Sequence, residues 1–203
     1  MVGVVVAAYD GQMYIEGCIE PLLHASRCAQ IQGKKVLIVV VLDACRDLTG
    51  KITRSLGAKT VAVEVRNVGL AWRMGVQAAL NAGGLWLAFT DAESTVAPDW
   101  LTAQLPPQSD AVCGVVAGID CGVYGERMRR YYEASYTDRD GHQHMHGAYL
   151  GVSAKALVLA VTDGEASRAG SNHWTPPRLA ALRQLESASG LYLLTAAAAQ
   201  CLA

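Results

Sequence analysis

Two carboxylates stand one residue apart directly after a short apolar run, within the segment LWLAFTDAESTVAPDW at residues 85–100. In an extended or tightly turned backbone, Asp91 and Glu93 can point at one place, where they repel each other unless a cation lies between them. The alternative is a solvated turn after a strand, because a short D-x-E pattern is common by chance. The motif alone does not distinguish a cation site from a solvated turn, so the neighbouring segments are needed as evidence.

Other acids follow other apolar runs. Asp10 comes after the first run and Asp43 directly after the second. The carboxyl ends of parallel strands share one edge of a sheet, and ligands bind there where the strand order reverses, so we expect these acids to converge with the pair after the fourth strand. Aspartate also caps helices. We expect Asp43 and Asp91 to serve a ligand, whereas Asp47 and Asp99 are equally compatible with capping.

Hydrophobic periodicity alternates between strand-like and helix-like segments in the first half of the chain. It predicts strands at residues 2–8, 35–42, 60–65 and 85–89, and helices at 13–29, 48–56 and 69–81. Such alternation predicts an α/β fold, with a Rossmann-like, mostly parallel sheet and helices on both of its faces. At 203 residues the chain is expected to form a single domain.

The pattern is less regular beyond residue 117. It predicts a helix at residues 124–135, a polar loop at 137–146, a strand at 147–152, a turn-rich loop at 162–177, a helix at 178–187 and a weak strand at 191–194. His142, His144 and His146 would share one face of an extended strand, where they could ligate Zn²⁺ or complete a Mn²⁺ site. In a polar loop they would instead be solvated, and both interpretations stay open.

Composition argues against several classes of protein. A net charge of −1 and an isoelectric point near 6.5 supply no broad footprint for nucleic acid. No run approaches the roughly 20 apolar residues of a membrane-spanning helix. Met1 leads into an apolar strand without the basic segment of a secretory signal, so we expect a cytoplasmic protein. The six cysteines form no C-x-x-C pair and are expected to be reduced.

Neither G-x-G-x-x-G nor G-x-x-x-x-G-K-[ST] occurs in the chain. The missing glycine fingerprint argues against a nicotinamide-dependent oxidoreductase. An edge lined by acids holds a diphosphate well only when a divalent ion bridges carboxylate and phosphate, because the ion inverts the local sign of charge.

Five segments of the chain form an ordered set: VVVAAYDGQMYIEGCIEPLL, VVVLDACRDLTG, RNVGLAWRMG, WLAFTDAESTVAPDWL and HGAYLGV. In this order they resemble the P-A-Y/H-N/D-E, V-D-D-x-S-x-D-x-T, N-x-G-x-A-R-x-x-G, D-x-D with P-x-W-L, and H-G-A-N-L-G-V segments of glycosyltransferase family 2. That family is the inverting group of GT-A fold that uses nucleotide-diphosphate sugars. The resemblance spans roughly residues 2–160. It implies a nucleotide-binding half at 1–117 and a divergent acceptor-side half at 118–203 within one domain.

The resemblance also implies roles for individual residues. The nucleotide-binding set comprises Ala7, Ala8, Tyr9, Asp10, Asp43, Asn67, Arg73 and Asp91. Asp91 and Glu93, together with His146, would hold the Mg²⁺ or Mn²⁺ that neutralises the leaving diphosphate. The acceptor side would be formed by Gly147, Ala148 and Tyr149.

The chain departs from the family where the catalytic base is expected. The family's E-D pair is missing from the corresponding segment, GSNHWTPP at residues 170–177. Asp163, Glu165 and His173 are open alternatives for the base that activates the acceptor hydroxyl. Tyr149 stands where the family has asparagine.

Two hypotheses follow from this departure. The first is transfer of a sugar from a nucleotide-diphosphate sugar, with inversion, to an unknown glycan, lipid or small-molecule acceptor. The second is a relative that binds nucleotide or glycan without catalysis. No nucleic-acid partner and no transmembrane segment are expected, and peripheral contact with a membrane stays open.

Overall fold

Strands and helices alternate along the first ninety residues and continue with shorter elements. The computed structural model describes residues 1–28, 31, 33–105, 110–114, 130 and 149–157. The strands are β1 (Val2–Ala8), β2 (Val36–Asp43), β3 (Lys59–Val63), β4 (Trp86–Asp91), β5 (Ala111–Cys113) and β6 (Leu150–Ser153). The helices are α1 (Ile15–Ser26), α2 (Thr49–Ser55), α3 (Val68–Asn81) and α4 (Trp100–Ala103).

The six strands form one sheet in the order β3-β2-β1-β4-β6-β5. Strands β1 to β4 are parallel, β6 is antiparallel to β4, and β5 is antiparallel to β6. The chain moves outward from β1 to β3 and then returns to place β4 on the other side of β1. The strand order therefore reverses between β1 and β4, which is where a crevice opens at the carboxyl edge of such sheets.

Both faces of the sheet are covered, because β1 is apolar on both sides. Val4 and Val6 pack in a core that includes Ile19 of α1, and Val5 packs in a second core with Val76 of α3. Helix α3 lies very close to the sheet, since a Cβ added at Gly75 would clash with Val5 Cγ1. The predicted mostly parallel sheet with helices on both faces is confirmed.

The boundaries differ from the prediction in ways that matter for the site. Helix α1 ends at Ser26 instead of residue 29. Strand β4 extends to Asp91, which pairs with Ala7, so this acid is the last residue of the strand and does not follow it. The short strand β5 was not predicted, and β6 begins at Leu150 instead of residue 147. The segments predicted at 124–135, 162–177, 178–187 and 191–194 lie outside the described residues, apart from the single helical residue Arg130.

Among the described residues, no helix combines the length and the apolar character needed to cross a bilayer.

Candidate functional site

A cleft of about 1300 Å³ opens at the carboxyl edge of the sheet, where the strand order reverses. Strand ends, the loops that follow them and the segment before α4 form its walls. The lining residues are Ala7, Ala8, Tyr9, Asp10, Gly11, Tyr14, Asp43, Arg66, Asn67, Val68, Ala71, Thr90, Asp91, Ala92, Glu93, Ser94, Thr95, Val96, Ala97, Trp100 and Tyr149.

The structure brings nine of the predicted site residues together in this cleft. They are Ala7, Ala8, Tyr9, Asp10, Asn67, Asp43, Asp91, Glu93 and Tyr149. Arg73, in α3, is not among the residues that line it. The remaining predicted residues, Asp163, Glu165, His173, His146, Gly147 and Ala148, lie outside the described part of the chain.

Several cleft residues were missed by sequence reasoning. Arg66 and Trp100 belong to the motifs that carried the family resemblance, so their position in those segments was the available signal. Thr95, Val96 and Ala97 carry no chemical signature in the sequence, because they shape a wall and hold no charge.

Asp91 and Glu93 occupy a tight turn at the end of β4, closed by a hydrogen bond from Ser94 N–H to the Asp91 carbonyl oxygen at 3.1 Å. Burial and repulsion from Glu93 raise the pKa of the Asp91 carboxyl to about 6. Within the described ranges, neither carboxylate accepts a hydrogen bond. The pair therefore carries negative charge that no described residue compensates, and its oxygen donors suit a hard divalent cation.

Asp43 is engaged in a different way. Its Oδ1 accepts the N–H groups of Val65 and Arg66, both at 2.8 Å, and its Oδ2 accepts that of Asn67 at 2.9 Å. The Asn67 side chain in turn accepts the Leu70 N–H at 3.0 Å and caps α3. Asp43 thus fixes the loop between β3 and α3, and its predicted contact with the nucleotide stays a prediction.

The loops after β1 and β2 are tied to each other by side chains. Asp10 Oδ1 accepts the Arg46 N–H at 2.7 Å, and Asp47 Oδ2 accepts the Gln12 N–H at 2.9 Å. Asp47 Oδ1 also accepts the N–H of Thr49, the first residue of α2, whereas Asp99 makes no side-chain cap at α4. The two acids therefore differ: Asp47 accepts the N–H of the first residue of α2 from a position before the N-cap residue Leu48, whereas Asp99 is the N-cap residue of α4 and its side chain accepts no cap hydrogen bond.

Asp10, Cys45 and Asp47 place their ligand atoms within 4.8 Å of one another, and theirs is the one such group among the described residues. The Cys45 thiol donates to the Ala8 carbonyl oxygen at 3.3 Å, and burial raises its pKa, which keeps it protonated and a poor metal ligand. Both carboxylates accept backbone N–H groups. These contacts account for the cluster as a loop scaffold.

Free thiols are found where the sequence suggested reduced cysteines. Cys18, Cys28 and Cys45 form no disulfide. Cys18 lies under the acidic turn and donates to the Asp91 carbonyl oxygen at 3.5 Å. Burial, with the nearby Glu93 and Asp91 carboxylates, raises its pKa to about 12, so this thiol is chemically inert at neutral pH.

Three residues other than glycine adopt a positive φ within the described ranges: Asp10 at 45°, Ala44 at 53° and Arg66 at 46°. Each lies in a loop that follows a strand at the same edge of the sheet. Such left-handed backbone costs of order 1 kcal/mol or more per residue and is held in place by the surrounding hydrogen bonds. The local strain is concentrated at the rim of the cleft.

An aromatic wall closes the side of the cleft opposite β3. Trp100, almost fully buried, packs edge-on against Tyr149 with ring centroids 5.7 Å apart. Tyr149 immediately precedes β6, and its carbonyl oxygen accepts the Gly114 N–H at 3.0 Å. Burial, with the nearby Asp99 carboxylate, raises the pKa of the Tyr149 phenol, which therefore stays neutral and keeps its proton for donation.

A mostly parallel sheet that continues beyond β4 in two antiparallel strands, with an acidic cleft at its switch point, is typical of the GT-A class of glycosyltransferases. The sequence model described as Glycosyl transferase family 2 matches residues 3–158. The chain therefore belongs to glycosyltransferase family 2, the family of enzymes that transfer sugars from nucleotide sugars. No curated protein sequence matches it significantly.

Solved structures with the same fold span nearly the whole chain. A Pyrobaculum calidifontis mannosyltransferase, PcManGT, in complex with GDP-Man and Mn²⁺, has 15% identity and a TM-score of 0.58 over 99% of this chain and 73% of its own. S. aureus TarS 1-349 has 14% identity and a TM-score of 0.56 over 98% and 55%. Glucosyl-3-phosphoglycerate synthase from Mycobacterium tuberculosis, in complex with UDP, has 15% identity and a TM-score of 0.52 over 99% and 79%. At these identities the likeness establishes the GT-A fold.

Proposed function

We propose that this protein transfers a sugar from a nucleotide-diphosphate sugar to an acceptor hydroxyl, with inversion at the anomeric carbon and with help from a divalent metal ion. The proposal depends on one observation: Asp91 and Glu93 lie at the strand-order reversal of a family 2 chain, and no side chain in the described ranges compensates their charge. Mutual repulsion and burial make that pair costly without a ligand, so a cationic ligand accounts for its presence.

The residues fit a hard divalent ion. Asp91 and Glu93 supply carboxylate oxygens, the donors that Mg²⁺ and Mn²⁺ prefer. The structural likeness to a mannosyltransferase that was solved with Mn²⁺ supports the same assignment. His146 remains a proposed third ligand. When bound, the ion would neutralise charge on the leaving diphosphate.

The chain's own groups then orient the donor and exclude water. The loop after β1, with Ala7, Ala8, Tyr9 and Asp10, and the capping residue Asn67 form the floor and one wall of the proposed nucleotide site. The GDP-Man and UDP complexes of the solved neighbours support a nucleotide-diphosphate sugar as the donor class. On this proposal, residues 1–117 carry the nucleotide and 118–203 the acceptor.

The acceptor side is proposed to use Gly147, Ala148 and Tyr149. The Tyr149 phenol, neutral at physiological pH, can donate a hydrogen bond to a sugar or acceptor oxygen while its ring packs on Trp100. A base must remove the acceptor proton as the new bond forms, and Asp163, Glu165 and His173 remain the alternatives for it. The acceptor is an unidentified glycan, lipid or small molecule.

A second candidate function is binding of a nucleotide or glycan without transfer. It is favoured by one observation, the absence of an acid from residues 170–177, where the family places its catalytic pair. The acidic turn would serve both functions equally, because binding a metal and a diphosphate needs no base.

Calorimetry and product analysis test the proposal. UDP-, GDP- and TDP-sugars are titrated into the protein with and without Mn²⁺, and the reaction mixtures are analysed for the released nucleoside diphosphate. We expect binding that requires Mn²⁺, together with slow donor hydrolysis when no acceptor is present. Binding without any released product favours the second function, and absence of binding across the panel contradicts both.

A matched pair of variants locates the metal requirement. Glu93→Gln removes one charge of the acidic turn, whereas Glu20→Gln removes an exposed charge on α1, outside the cleft. We expect only Glu93→Gln to weaken the Mn²⁺-dependent binding. Equal behaviour of the two variants would place the metal elsewhere.

A further inference from the structure

The cleft is strongly acidic, yet its substrate class is anionic. The described lining residues include four carboxylates, those of Asp10, Asp43, Asp91 and Glu93, and a single basic side chain, that of Arg66. Arg73, the arginine that the family resemblance assigned to the nucleotide, does not line the cleft. Among the described lining residues, Arg66 therefore supplies the one cationic side chain that a bound nucleotide can contact.

Arg66 is held in place by its backbone. Its N–H donates to Asp43 Oδ1 at 2.8 Å, and the N–H groups of Val65 and Asn67 on either side donate to the same carboxylate. The three bonds keep Arg66 at a φ of 46°, a conformation that a residue with a side chain rarely adopts. A strained loop clamped at three consecutive amides fixes the point from which the Arg66 side chain leaves the backbone.

The guanidinium of Arg66 has no carboxylate partner among the described residues. Arg46, one loop away, shows the contrast, because it pairs with Glu64 at 3.2 Å. Arg66 is exposed, lines the cleft and forms no ion pair within the part of the chain that the structure describes, so its five N–H donors and its planar face are available to a ligand there.

The position of Arg66 across the sheet indicates which part of a nucleotide it meets. Asp91 ends β4, and Asp43, which clamps the Arg66 loop, ends β2, with β1 between these two strands. Two strand spacings of about 4.8 Å separate them by roughly 10 Å. A diphosphate held at the Asp91–Glu93 turn therefore directs the nucleoside toward β2 and Arg66.

We propose that Arg66 is a specificity-determining residue of the donor site, whose guanidinium contacts the nucleoside end of the nucleotide sugar, and that Asp43 is the positioning residue that fixes it. The inference rests on the proposed function, since it takes the diphosphate end to lie at the acidic turn. A planar group with only donors recognises base carbonyls by hydrogen bonds and the base face by stacking. Lysine can donate to one carbonyl oxygen, but it lacks the planar pair of donors and the face for stacking.

Arg66→Gly is the sharpest test, because glycine accepts the positive φ and removes only the side chain. Wild type is first titrated with UDP, GDP and TDP in the presence of Mn²⁺, and the tightest binder is then compared with its own nucleoside monophosphate. We expect Arg66→Gly to weaken the diphosphate and the monophosphate by the same factor, about tenfold, at a nearly unchanged melting temperature. Arg66→Lys should lose nearly as much, and Arg27→Ala, an exposed arginine outside the cleft, should lose nothing.

The outcomes separate the two levels of the proposal. If wild type binds none of the three diphosphates, both the proposed function and the role of Arg66 are wrong. If wild type binds and Arg66→Gly binds equally well, only the role of Arg66 is wrong. A loss that is larger for the diphosphate than for the monophosphate, or full rescue by Arg66→Lys, would assign Arg66 to the phosphates and overturn the nucleoside contact. Loss in Arg73→Ala without loss in Arg66→Gly would restore the family assignment.

A double-mutant cycle tests the positioning role of Asp43. Asp43→Asn keeps one acceptor oxygen but can no longer accept all three N–H groups. If Asp43 acts through Arg66, the affinity loss in Asp43→Asn should largely disappear when it is measured in the Arg66→Gly background. Additive losses would mean that Asp43 does not act through Arg66.

Discussion

Two strand ends of the same sheet carry aspartates that look alike in the sequence and behave differently in the structure. Asp43, at the end of β2, accepts three backbone N–H groups. Asp91, at the end of β4, accepts none among the described residues and lies beside Glu93, which together with burial raises its pKa to about 6. The hydrogen bonds of the two acids distinguish them: Asp43 is committed to the loop between β3 and α3, whereas the Asp91 carboxylate accepts no hydrogen bond from the described residues.

Removing the Asp43 carboxylate should produce the largest effect. Asp43→Ala leaves three part-buried amides without their acceptor, and at about 1 kcal/mol for each we expect a loss of about 3 kcal/mol in the free energy of unfolding. Urea denaturation followed by circular dichroism measures it, with Glu20→Ala as the control on an exposed acid. A loss no greater than that of the control would show that the loop does not depend on Asp43.

Asp91→Asn should have the opposite effect on the free energy of unfolding and should weaken nucleotide binding. The variant removes a buried, repelled charge, so we expect a stability equal to or above that of wild type. Mn²⁺-dependent nucleotide binding should fall on the order of a hundredfold, as is typical when one preorganised electrostatic group is removed. Parallel denaturation and calorimetry give both numbers. If the Asp91→Asn variant were less stable than wild type and bound the nucleotide normally, Asp91 would have a structural role like that of Asp43.

The pH dependence of stability sharpens the comparison further. Because the pKa of Asp91 in the fold is about 6 and its ordinary value is 3.8, the protonated form is favoured by folding. Its contribution to stability is fully present below about pH 4 and is lost as the pH rises through 6. In metal-free buffer, wild type should therefore lose stability relative to Asp91→Asn between pH 4 and 7. A constant difference between the two proteins over this range would contradict the raised pKa.

The smallest expected effect concerns the aromatic wall. Tyr149→Phe keeps the edge-on contact with Trp100 and should leave stability nearly unchanged, whereas Tyr149→Ala should lose about 1 kcal/mol or somewhat more with the ring pair. Thermal unfolding of the two variants side by side measures the difference. Equal melting temperatures would show that the ring contact contributes nothing to the fold.

Much of the fold of residues 1–105 could be predicted from the sequence, because apolar periodicity places the strands of this segment within a few residues. The convergence of Asp10, Asp43, Asp91 and Glu93 on one cleft followed from a general property of parallel sheets. What the sequence could not supply was the partner of each acid. Asp43 and its amides lie more than twenty residues apart, and only the register of β2 and β3 brings them together.

The same limit explains why the sequence pointed to Arg73, whereas the arginine that lines the cleft is Arg66. The nucleotide contact of Arg73 stays a prediction. Arg66 and Arg73 belong to one motif, and the family resemblance favoured Arg73. Arg66 lines the cleft because Asp43 holds its backbone at a positive φ. The residue type alone does not predict that conformation. The predictions for residues 158–203, including the three alternatives for the base, lie outside the described residues.

Strand β6 enters the sheet between β4 and β5 from a segment that begins 59 residues after β4 ends, and it carries Tyr149 beside it. During synthesis on the ribosome, the four parallel strands are complete long before this partner emerges. At about 5–20 residues per second, translating these roughly 60 residues takes about 3 to 12 seconds, during which β4 presents an unpaired edge. The nascent chain is most exposed to misassembly in that interval, so a pause in translation shortly after β4 should lower the yield of folded protein more than a pause after β6.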